Sequence, residues 1–374
     1  MSPRALRVVH VDTERGWRGG ERQAFWLAER LARLGHRSVL AVRPGEPLAE
    51  KAIAAGIPTI ALSPLGEMDL FAALSLRRAI MREKADIVHA HTGHAVALAA
   101  IATLGTRARM VLTRRVSFPL KRNPASLWKY SRADAMIAVC QATADSLVKS
   151  GIESARITVV YSGVDLTRVI PPASAQTLTK LGVHAGAPLV VVVAALVGHK
   201  DPVTFVRAMD VARRSVPDIQ GLMVGDGELR SEVELEISLL SLCDSVHLAG
   251  YRTDADSLMS VADVVALSSS DDGIGGVVID AMSFGKPVAA TAAGGIPEAV
   301  VNNETGLLVP VGDAEALGAA IVRLVTDRDL AQKMGANGIR RAPLFSIDNT
   351  VERTLAVYER VLAVYERVLA ARER

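Results

Sequence analysis

The sequence predicts an α/β protein of two domains, each a mostly parallel sheet covered by helices, and three observations lead to this fold class. A chain of 374 residues is long enough for two domains of ordinary size. Half of the residues are hydrophobic but only 4% are aromatic, as expected of buried Val-rich strands and Ala-rich helices. Strand-like apolar runs also alternate with helical segments along the chain, which is typical of βαβ units.

The first series of elements runs to about Asp165. A strand at 6–12 and a glycine-bearing loop at 13–21 lead to a helix at 22–34, which Gly35 ends. The same patterns then predict strands at 37–42, 59–62, 87–91, 110–113, 135–139 and 157–161, and helices at 70–83, 94–104 and 141–150.

A linker at Pro171 and Pro172 precedes a second series of the same kind. Its first strand, at 189–196, is wholly apolar, as in a strand buried on both faces of a sheet. Further strands are predicted at 221–224, 246–249, 264–267, 287–291 and 306–309, and helices at 202–211 and 314–325.

The chain closes with a helix that carries one internal repeat. The heptad at 357–363 recurs unchanged at 364–370, and this copy adds two helical turns that return Tyr358 and Tyr365 to nearly the same face. One repeat cannot supply the seam of a coiled coil, so we interpret it as a lengthened terminal helix.

Charge is distributed unevenly between the two halves. Residues 1–165 contain 24 Lys/Arg and 14 Asp/Glu, whereas residues 166–374 contain 19 and 26. A basic first half fits an anionic acceptor or an anionic lipid surface. Nucleic-acid binding is disfavoured, because the sequence has no zinc-ligand spacing, no aromatic-studded RNA motif and no basic helix with heptads.

We expect a cytoplasmic protein that is at most peripheral on the inner face of the cytoplasmic membrane. The first residues hold no apolar signal core, and the longest apolar run, at 187–197, is too short to span a bilayer. Cys140 and Cys243 lie far apart in apolar contexts, which predicts two buried thiols and neither a disulfide nor a metal site.

The stretch at 268–288 is the centre of the functional prediction. Asp272 precedes a helix and Asp280 lies about one turn inside it, with glycines at the helix mouth (Gly273, Gly275 and Gly276). Glycines let a ligand approach the backbone, and the free N–H groups of a helix start favour a negative charge. The layout suits an anionic ligand with hydroxyl groups, such as a nucleotide sugar; the alternative is an ordinary strand–turn–helix unit.

Other polar motifs also follow predicted strands. Ligands bind at the carboxyl ends of parallel strands, so two such domains would place a cleft between these motifs. They are Gly19-Gly20, His89 and His91, Thr113-Arg114-Arg115, His199-Lys200, Gly225 and Gly294-Gly295.

The motifs, taken in order, resemble those of the retaining glycosyltransferases of family 4 (glycosyl transferases group 1), which have the GT-B fold. They are Gly-Gly-Glu at 19–21, Asp-Ile-Val-His-Ala-His at 86–91, Ser-Gly-Val-Asp at 162–165, Val-Gly-Asp-Gly-Glu-Leu at 224–229, Gly-Lys-Pro-Val at 285–288 and Gly-Gly-Ile-Pro-Glu at 294–298. The resemblance covers about residues 6–325.

The resemblance implies two Rossmann-like domains facing each other across a cleft. Residues 1–168 would form the acceptor domain and residues 169–350 the donor domain. Residues 351–374 would form a C-terminal helix that returns to the first domain.

Residue roles follow from the same resemblance. Lys200 would neutralise the leaving diphosphate, Asp272 would contact the transferred sugar, and Asp280 would bind the ribose hydroxyls. The implied catalytic residues are Asp272, Lys200 and Arg115. The implied donor-binding residues are Gly20, Lys200, Gly225, Asp272, Gly273, Gly275, Gly276, Asp280 and Gly295. The implied acceptor-side residues are Gly19, His89, His91, Arg114 and Arg115.

Structural alternatives stay open for these residues. The glycines could belong to plain turns, Lys200 and the two aspartates could be charges at helix ends, and the histidines could be structural. Glu298 is either on the donor side or a charge in the first turn of the next helix.

The chain departs from the family pattern at three places. Both glutamates of the family's motif are aspartates, Asp272 and Asp280, so each carboxylate is one methylene shorter. Ala194-Ala195 stands where the family has Gly-Arg. Arg114 and Arg115 stand where many members have a histidine. One of the two arginines could take over anion binding, or both could be ordinary surface charges.

The resemblance implies transfer of a sugar, with retention, from a UDP or GDP sugar to an acceptor. No cofactor and no metal are implied, and the acceptor would be a sugar, a lipid-linked group or a polysaccharide precursor of the cell envelope. Two alternatives are a nucleotide-sugar epimerase of the same fold and a degenerate transferase that acts as a binding or scaffold subunit.

Two further patterns bear on metal binding and on membrane association. The motif Asp254-Ala-Asp256 matches a metal-binding Asp-x-Asp, but we interpret it as the start of a helix. Basic residues beside aromatics suit an anionic, lipid-linked acceptor, with solvated arginines as the alternative. They are Arg15, Trp17, Arg18, Arg22, Trp26, Lys121, Arg122, Trp128, Lys129 and Arg132.

Overall fold

The computed structural model describes residues 4–121 and 123–372 and divides the chain into two compact units. Unit 1 contains the residues up to Gly163 together with those from Ile347 onwards, and unit 2 is Val164–Ser346. Arg122, one of the basic residues noted above, lies outside the described residues.

Unit 1 is a seven-stranded parallel sheet in the order β3-β2-β1-β4-β5-β6-β7, flanked by helices. Its strands are Arg7–Val11 (β1), Arg37–Val42 (β2), Thr59–Ala61 (β3), Ile87–Ala90 (β4), Arg109–Arg114 (β5), Ala135–Ala138 (β6) and Ile157–Val159 (β7). Its helices are Gly19–Arg33 (α1), Pro47–Ala54 (α2), Leu70–Glu83 (α3), Gly93–Ala102 (α4), Pro124–Ser131 (α5), Gln141–Lys149 (α6) and the C-terminal Ile347–Arg372 (α15), with a 3₁₀ turn at Ser154–Arg156.

Unit 2 is a six-stranded parallel sheet in the order β10-β9-β8-β11-β12-β13. Its strands are Leu189–Val193 (β8), Gln220–Val224 (β9), Val246–Gly250 (β10), Val264–Leu267 (β11), Val288–Thr291 (β12) and Gly306–Val309 (β13). Its helices are Ala175–Lys180 (α7), Pro202–Ser215 (α8), Arg230–Leu239 (α9), Ala255–Ser260 (α10), Gly276–Ser283 (α11), Ile296–Ala299 (α12), Ala314–Thr326 (α13) and Arg328–Arg341 (α14), with 3₁₀ turns at Gly198–Lys200 and Ala342–Phe345.

Each sheet reverses its strand order once, and this position locates the functional residues. The reversal lies between β1 and β4 in unit 1 and between β8 and β11 in unit 2. Crossovers leave such a position on opposite faces of the sheet, so a crevice opens at the carboxyl ends of the two central strands. Residues that follow β1, β4, β8 and β11 are therefore expected to line a site.

The unit boundaries differ from the predicted 168/169 and 350/351. Unit 2 begins at Val164, because the Val164 N–H donates to the Phe345 carbonyl (2.9 Å) and Val164 bridges Ser346. The linker predicted at Pro171 and Pro172 thus lies inside unit 2. Helix α15 belongs to unit 1, where it packs against α1, β5 and β6.

Two kinds of local error concern the starts of helices. Helix α1 begins at Gly19, three residues before the predicted start, because the Glu21 carboxylate accepts the Arg18 N–H (2.7 Å). The short helices α2 and α5 were not predicted, since each begins with a proline that reads as a turn signal. Proline suits the first helical position because its missing N–H would have no helical partner.

Two composition-based expectations are tested by the structure. Cys140 is buried and its sulfur accepts the Thr143 N–H at the start of α6, but Cys243 is exposed, so the prediction of two buried thiols is wrong for Cys243. Across the described residues, no helix combines the length and the apolar character needed to cross a bilayer.

Candidate functional site

The strand reversal in unit 2 brings Lys200 and Asp272 into contact. Lys200 closes the 3₁₀ turn that follows β8, and Asp272 follows β11. Their Nζ and Oδ2 atoms are 2.5 Å apart in a partly buried ion pair. The His199 carbonyl accepts N–H groups from Ser270 (3.0 Å) and Asp271 (3.2 Å), so the two loops are joined. The structure thereby brings together two residues that the sequence places 72 positions apart.

Glycines in unit 2 are required by close approach of one backbone segment to another. A Cβ added at Gly294, which has φ +50°, would lie 1.8 Å from the Asp272 carbonyl oxygen, and the Gly295 N–H donates to that same oxygen (3.1 Å). A Cβ at Gly225 would lie 1.9 Å from the Ala194 carbonyl oxygen. Gly294 and Gly225 therefore fix the loops that carry the site, whether or not a ligand also approaches them.

Helix α11 begins directly after this ion pair. Gly275 is its N-cap in a left-handed conformation (φ +66°), Gly276 is its first residue, and the Gly273 carbonyl accepts the Gly295 N–H (2.7 Å). The first N–H groups of a helix have no helical acceptor and carry a partial positive charge. The Lys200 ammonium, whose charge Asp272 balances, and the free N–H groups of this helix start together supply hydrogen-bond donors suited to an anion.

Asp280 occupies an environment that the sequence did not predict. It is 1% exposed and its Oδ1 accepts from Arg168 Nη2 (2.6 Å), while Arg168 Nη1 bonds Asp256 (2.5 Å). Asp280, to which the resemblance gives the ribose hydroxyls, is therefore a buried carboxylate paired with an arginine. Arg168 was missed because its partner is 112 positions away; the only nearby signal is the Ser-Gly-Val-Asp motif at 162–165.

The structure also shows the surroundings of the Asp-x-Asp motif and of Glu298. Arg252 binds Asp254 with two bonds of 2.7 Å, and Asp256 is paired with Arg168, so each carboxylate of the motif faces an arginine. Asp254 is the N-cap position of α10, as expected of a helix start. Glu298 lies in the first turn of the four-residue helix α12.

Unit 1 has its own cavity, of about 290 Å³, at the carboxyl ends of β4 and β5. Of the predicted acceptor-side residues, His91, Arg114 and Arg115 line it, as does the predicted donor-binding Gly20. His89 and Gly19 do not line it. Arg15 and Arg18 add two further guanidinium groups, and Glu14 and Glu21 add carboxylates, so the cavity is strongly polar and rich in cations.

Arg115 is held at this cavity by a histidine and a serine. Its Nη2 lies 3.4 Å from His91 Nδ1, and its Nη1 donates to Ser162 Oγ (3.1 Å). A guanidinium only donates, so His91 Nδ1 is an acceptor and the proton of His91 lies on Nε2. His91 Nε2 then donates to His10 Nδ1 at 3.0 Å. The buried pair His91–His10 therefore orients the arginine at the cavity wall.

Burial keeps three neighbouring histidines, His10, His89 and His91, neutral, whereas Arg115 keeps its charge. Desolvation lowers the pKa of His10 to about 3 and holds the pKa values of His89 and His91 well below the ordinary value. Desolvation likewise lowers the pKa of Arg115 to about 10, so the guanidinium still carries its charge at neutral pH.

His89 does not line the cavity, and its surroundings fit the structural alternative better than the predicted acceptor-side position. It is fully buried, with Nδ1 at 2.6 Å from the Tyr358 hydroxyl and Nε2 at 2.7 Å from the Thr113 hydroxyl. His10, His89 and His91 place nitrogens within 4.8 Å of one another, as a metal would require. Both His89 nitrogens are engaged, however, and the Arg115 charge adjoins His91. The residues fit a hydrogen-bonded cluster better than a metal centre.

Asp12 is a functional candidate that sequence reasoning missed. It follows β1, is 1% exposed, and accepts the Glu14 N–H through Oδ1 (3.2 Å). Burial, and then the nearby Glu21 charge, raise the pKa of Asp12 to about 7. A carboxyl group of this kind can exchange a proton near neutral pH. A single aspartate after a strand gives no sequence signal of such burial.

Part of the predicted basic–aromatic set is buried. Trp26 is buried, and Trp17 packs on Phe25 with Lys51 over its ring. Lys129 is 8% exposed and is paired with Glu67 (2.8 Å). Trp17, Trp26 and Lys129 thus serve the packing of unit 1, and of the three tryptophans in the predicted set only Trp128 is exposed.

Two family descriptions match the chain, one in each half. Residues 17–168 match Glycosyltransferase Family 4, and residues 176–341 match Glycosyl transferases group 1.

Several curated proteins are similar in sequence. The D-inositol 3-phosphate glycosyltransferase of Nocardia farcinica is 31% identical over 250 residues, which are 64% of this chain and 55% of that protein. The putative glycosyltransferase EpsD of Bacillus subtilis is 26% identical over 312 residues, 79% of this chain and 82% of EpsD. The lipopolysaccharide core biosynthesis glycosyltransferase LpsE of Rhizobium meliloti is 31% identical over 159 residues, 42% of this chain and 46% of LpsE. The match thus spans about half the length of two of these three relatives.

Solved structures resemble the whole chain. Anabaena Alr3699/HepE in complex with UDP has a TM-score of 0.81 at 21% identity and covers 95% of this chain and 100% of its own. A glycosyltransferase from Rickettsia africae has a TM-score of 0.83 at 22% identity, covering 96% of this chain and 99% of its own. At these identities the likeness establishes the fold.

Proposed function

Because this chain belongs to the family 4 glycosyltransferases of the GT-B fold, we propose that it transfers a sugar from a nucleotide-diphosphate donor to an acceptor hydroxyl with retention of configuration. The observation that carries this proposal is the Lys200–Asp272 ion pair beside the start of α11. It supplies a held cation and helix N–H groups at the strand ends where parallel sheets bind ligands.

The donor is proposed to be a UDP sugar, with a GDP sugar as the second choice. HepE has been crystallised with UDP and with UDP-glucose, and its fold covers nearly all of this chain. This supports a uridine diphosphate donor without fixing the sugar.

The chemistry proposed for unit 2 is electrostatic. Negative charge develops on the diphosphate as the glycosidic bond breaks, and Lys200 with the α11 N–H groups stabilises it in a partly buried site. Asp272 holds the Lys200 ammonium in place and contacts the transferred sugar. The leaving phosphate oxygen accepts the proton of the acceptor hydroxyl, so neither a covalent nucleophile nor a metal ion is needed.

The acceptor is proposed to bind at the cavity of unit 1. Arg115 faces this cavity as a partly buried cation whose orientation His91 and Ser162 fix, and the buried Asp12 interacts electrostatically with it. Such a site suits an acceptor with a phosphate or carboxylate group. The names of LpsE and of the D-inositol 3-phosphate glycosyltransferases support an anionic acceptor of the cell envelope, either lipid-linked or a polysaccharide precursor. We propose a cytoplasmic enzyme that acts at the inner membrane surface.

Lys200→Ala tests the proposal directly. A thermal-shift screen of the full chain against nucleotide diphosphate sugars first identifies the donor, and turnover is then measured with EDTA present. We expect Lys200→Ala to lower kcat by at least about a hundredfold, as for loss of one oxyanion-stabilising group. The exposed lysine of α14, Lys333, supplies the matched control, since Lys333→Ala removes the same charge away from the site.

Three outcomes would contradict the proposal. Near wild-type turnover in Lys200→Ala would remove its assigned role. Conversion of the donor to its epimer without any acceptor would indicate an epimerase. No thermal shift with any nucleotide diphosphate sugar would indicate a degenerate binding subunit. Loss of turnover in EDTA would overturn metal independence alone.

A further inference from the structure

An exposed apolar surface on unit 1 takes no part in the proposed reaction. It consists of the loop between β3 and α3 and the first turns of α3, and it contains Leu65, Met68, Leu70, Phe71 and Leu74. Leu65 is 99% exposed and Phe71 is 88% exposed, and the other three are exposed by about half or more. We call these five residues the α3 surface.

Helix α3 is apolar both on the side that faces the core and on part of the side that faces solvent. Its inner side buries Ala72, Ala73, Leu76, Ala79 and Ile80 in the core of unit 1. A surface helix ordinarily presents a polar outer side. Here the outer side begins with Leu70, Phe71 and Leu74, and a shallow groove of about 750 Å³ runs between this helix and the preceding loop.

Basic residues continue the same side of the helix toward its C-terminus. Arg78 lies one turn beyond Leu74 and Arg82 one turn beyond Arg78, and Lys84, in a left-handed conformation, caps the end of the helix; all three are exposed. Within the described residues, Arg78 and Lys84 are not paired with a carboxylate, and Arg82 contacts only Glu83 (3.3 Å).

The carboxylates of this region are already engaged. Glu67 binds Lys129 (2.8 Å), and Glu83 binds Arg37 (3.0 Å). Asp69 accepts the N–H groups of Leu65 (2.9 Å) and Ala72 (3.0 Å) at the start of α3. The bond to Lys129 lowers the pKa of Glu67, and the charge of Lys121 contributes to this lowering, so Lys121 also lies nearby. The α3 surface thus adjoins a net positive edge.

We propose that the α3 surface docks on an anionic lipid bilayer, with the apolar side chains entering the headgroup–acyl boundary and Arg78 and Lys84 on lipid phosphates. Apolar side chains next to exposed cations are what an interfacial helix requires. The first half of the chain also carries a basic excess, which favours association with an anionic membrane. This inference rests on the proposed function in one respect: membrane docking would bring the enzyme to a lipid-linked acceptor.

The test uses the full chain and flotation with vesicles, and it requires no turnover. Vesicles contain phosphatidylcholine alone or with about one third phosphatidylglycerol, at low salt. We expect binding to the anionic vesicles only, weakened by added salt. Phe71→Gln with Leu74→Gln should weaken vesicle binding at least about tenfold, because two inserted apolar side chains are lost.

Matched variants separate the surface from general hydrophobicity and from the active site. Leu235→Gln with Leu239→Gln removes two exposed apolar residues from α9 of unit 2 and should leave vesicle binding unchanged. Arg78→Gln with Lys84→Gln should weaken binding to anionic vesicles roughly thirtyfold, from about 1 kcal/mol per charge. The thermal shift with the donor sugar should be that of the wild type in every variant.

The proposal is overturned if the wild-type chain does not float with anionic vesicles, or if the α3 double variant floats equally well. It is also overturned if the wild-type chain forms a dimer without lipid and the α3 variant is monomeric, since the surface would then be an interface between copies. A donor thermal shift without vesicle binding would leave the proposed function standing and remove only this inference.

Discussion

Asp12 shows how one buried side chain makes the stability of the protein depend on pH. Its pKa, about 7 in the folded chain, lies above the ordinary value of 3.8 because of burial. Between these values the unfolded chain has released a proton that the folded chain retains, so the contribution of Asp12 to stability falls as pH rises to 7 and is constant above it. We predict that Asp12→Asn, which has no such proton, gains about 3 kcal/mol relative to wild type between pH 5 and pH 8.

The measurement is urea unfolding followed by tryptophan fluorescence, which reports on unit 1 because Trp17, Trp26 and Trp128 are the only tryptophans of the chain. The control is Asp218→Asn, at an exposed carboxylate of unit 2. A difference between Asp12→Asn and wild type that stays constant from pH 5 to pH 8 would show that Asp12 is hydrated in the folded protein.

The sequence predicted the residues of the candidate site better than their partners. Lys200, Asp272 and Gly294 each follow a strand in a recognisable motif, and the structure brings them together. The pairing of Asp280 with Arg168 and the burial of His89 could not be predicted, because both depend on which elements pack together far apart in sequence. A motif identifies a residue type at a strand end, whereas tertiary packing decides what it faces.

At the scale of the element, the duplicated heptads of α15 give one residue two different environments. Tyr358 is fully buried and its hydroxyl is bonded to His89, whereas Tyr365 is half-buried with Arg109 3.8 Å from its ring centre. We predict that Tyr358→Phe lowers the free energy of unfolding by about 1–3 kcal/mol, because His89 loses a partner in the core. Tyr365→Phe should change it by less than about 0.5 kcal/mol, since the ring is kept.

Thermal and urea unfolding of the two variants measure this difference in one helix and one sequence context. Equal losses in both variants would mean that the two copies pack alike. The sequence predicted that the copy lengthens the helix and returns both tyrosines to one face. The sequence could not predict that the core of unit 1 ends between the two copies. The heptads are identical, and the extent of the core is set by the other elements that pack against α15.

At the scale of the molecule, each of the thirteen strands in the described part of the chain overlaps a strand predicted from the sequence. Parallel strands buried on both faces are continuous apolar runs, such as 189–196, and these are recognisable without knowledge of their neighbours. The order of strands within each sheet was not predictable in this way. It sets the reversals at β1/β4 and β8/β11, and with them the residues that meet.

The buried histidines extend the pH argument to the whole of unit 1. Burial lowers the pKa values of His10, His89 and His91, so the unfolded chain binds protons below pH 6.5 that the folded chain does not, and stability falls as pH falls. Asp12 opposes this with one proton. Three histidines against one aspartate leave a net loss of stability as pH falls from 6 to 5. Tryptophan-monitored urea unfolding across that range measures this slope of stability against pH, and Tyr358→Phe should have the same slope because the same three imidazoles titrate.

A stability that is constant or rises toward pH 5 would mean that at least two of these rings are charged in the folded protein. The orientation of Arg115 through His91 and His10 would then have to be abandoned.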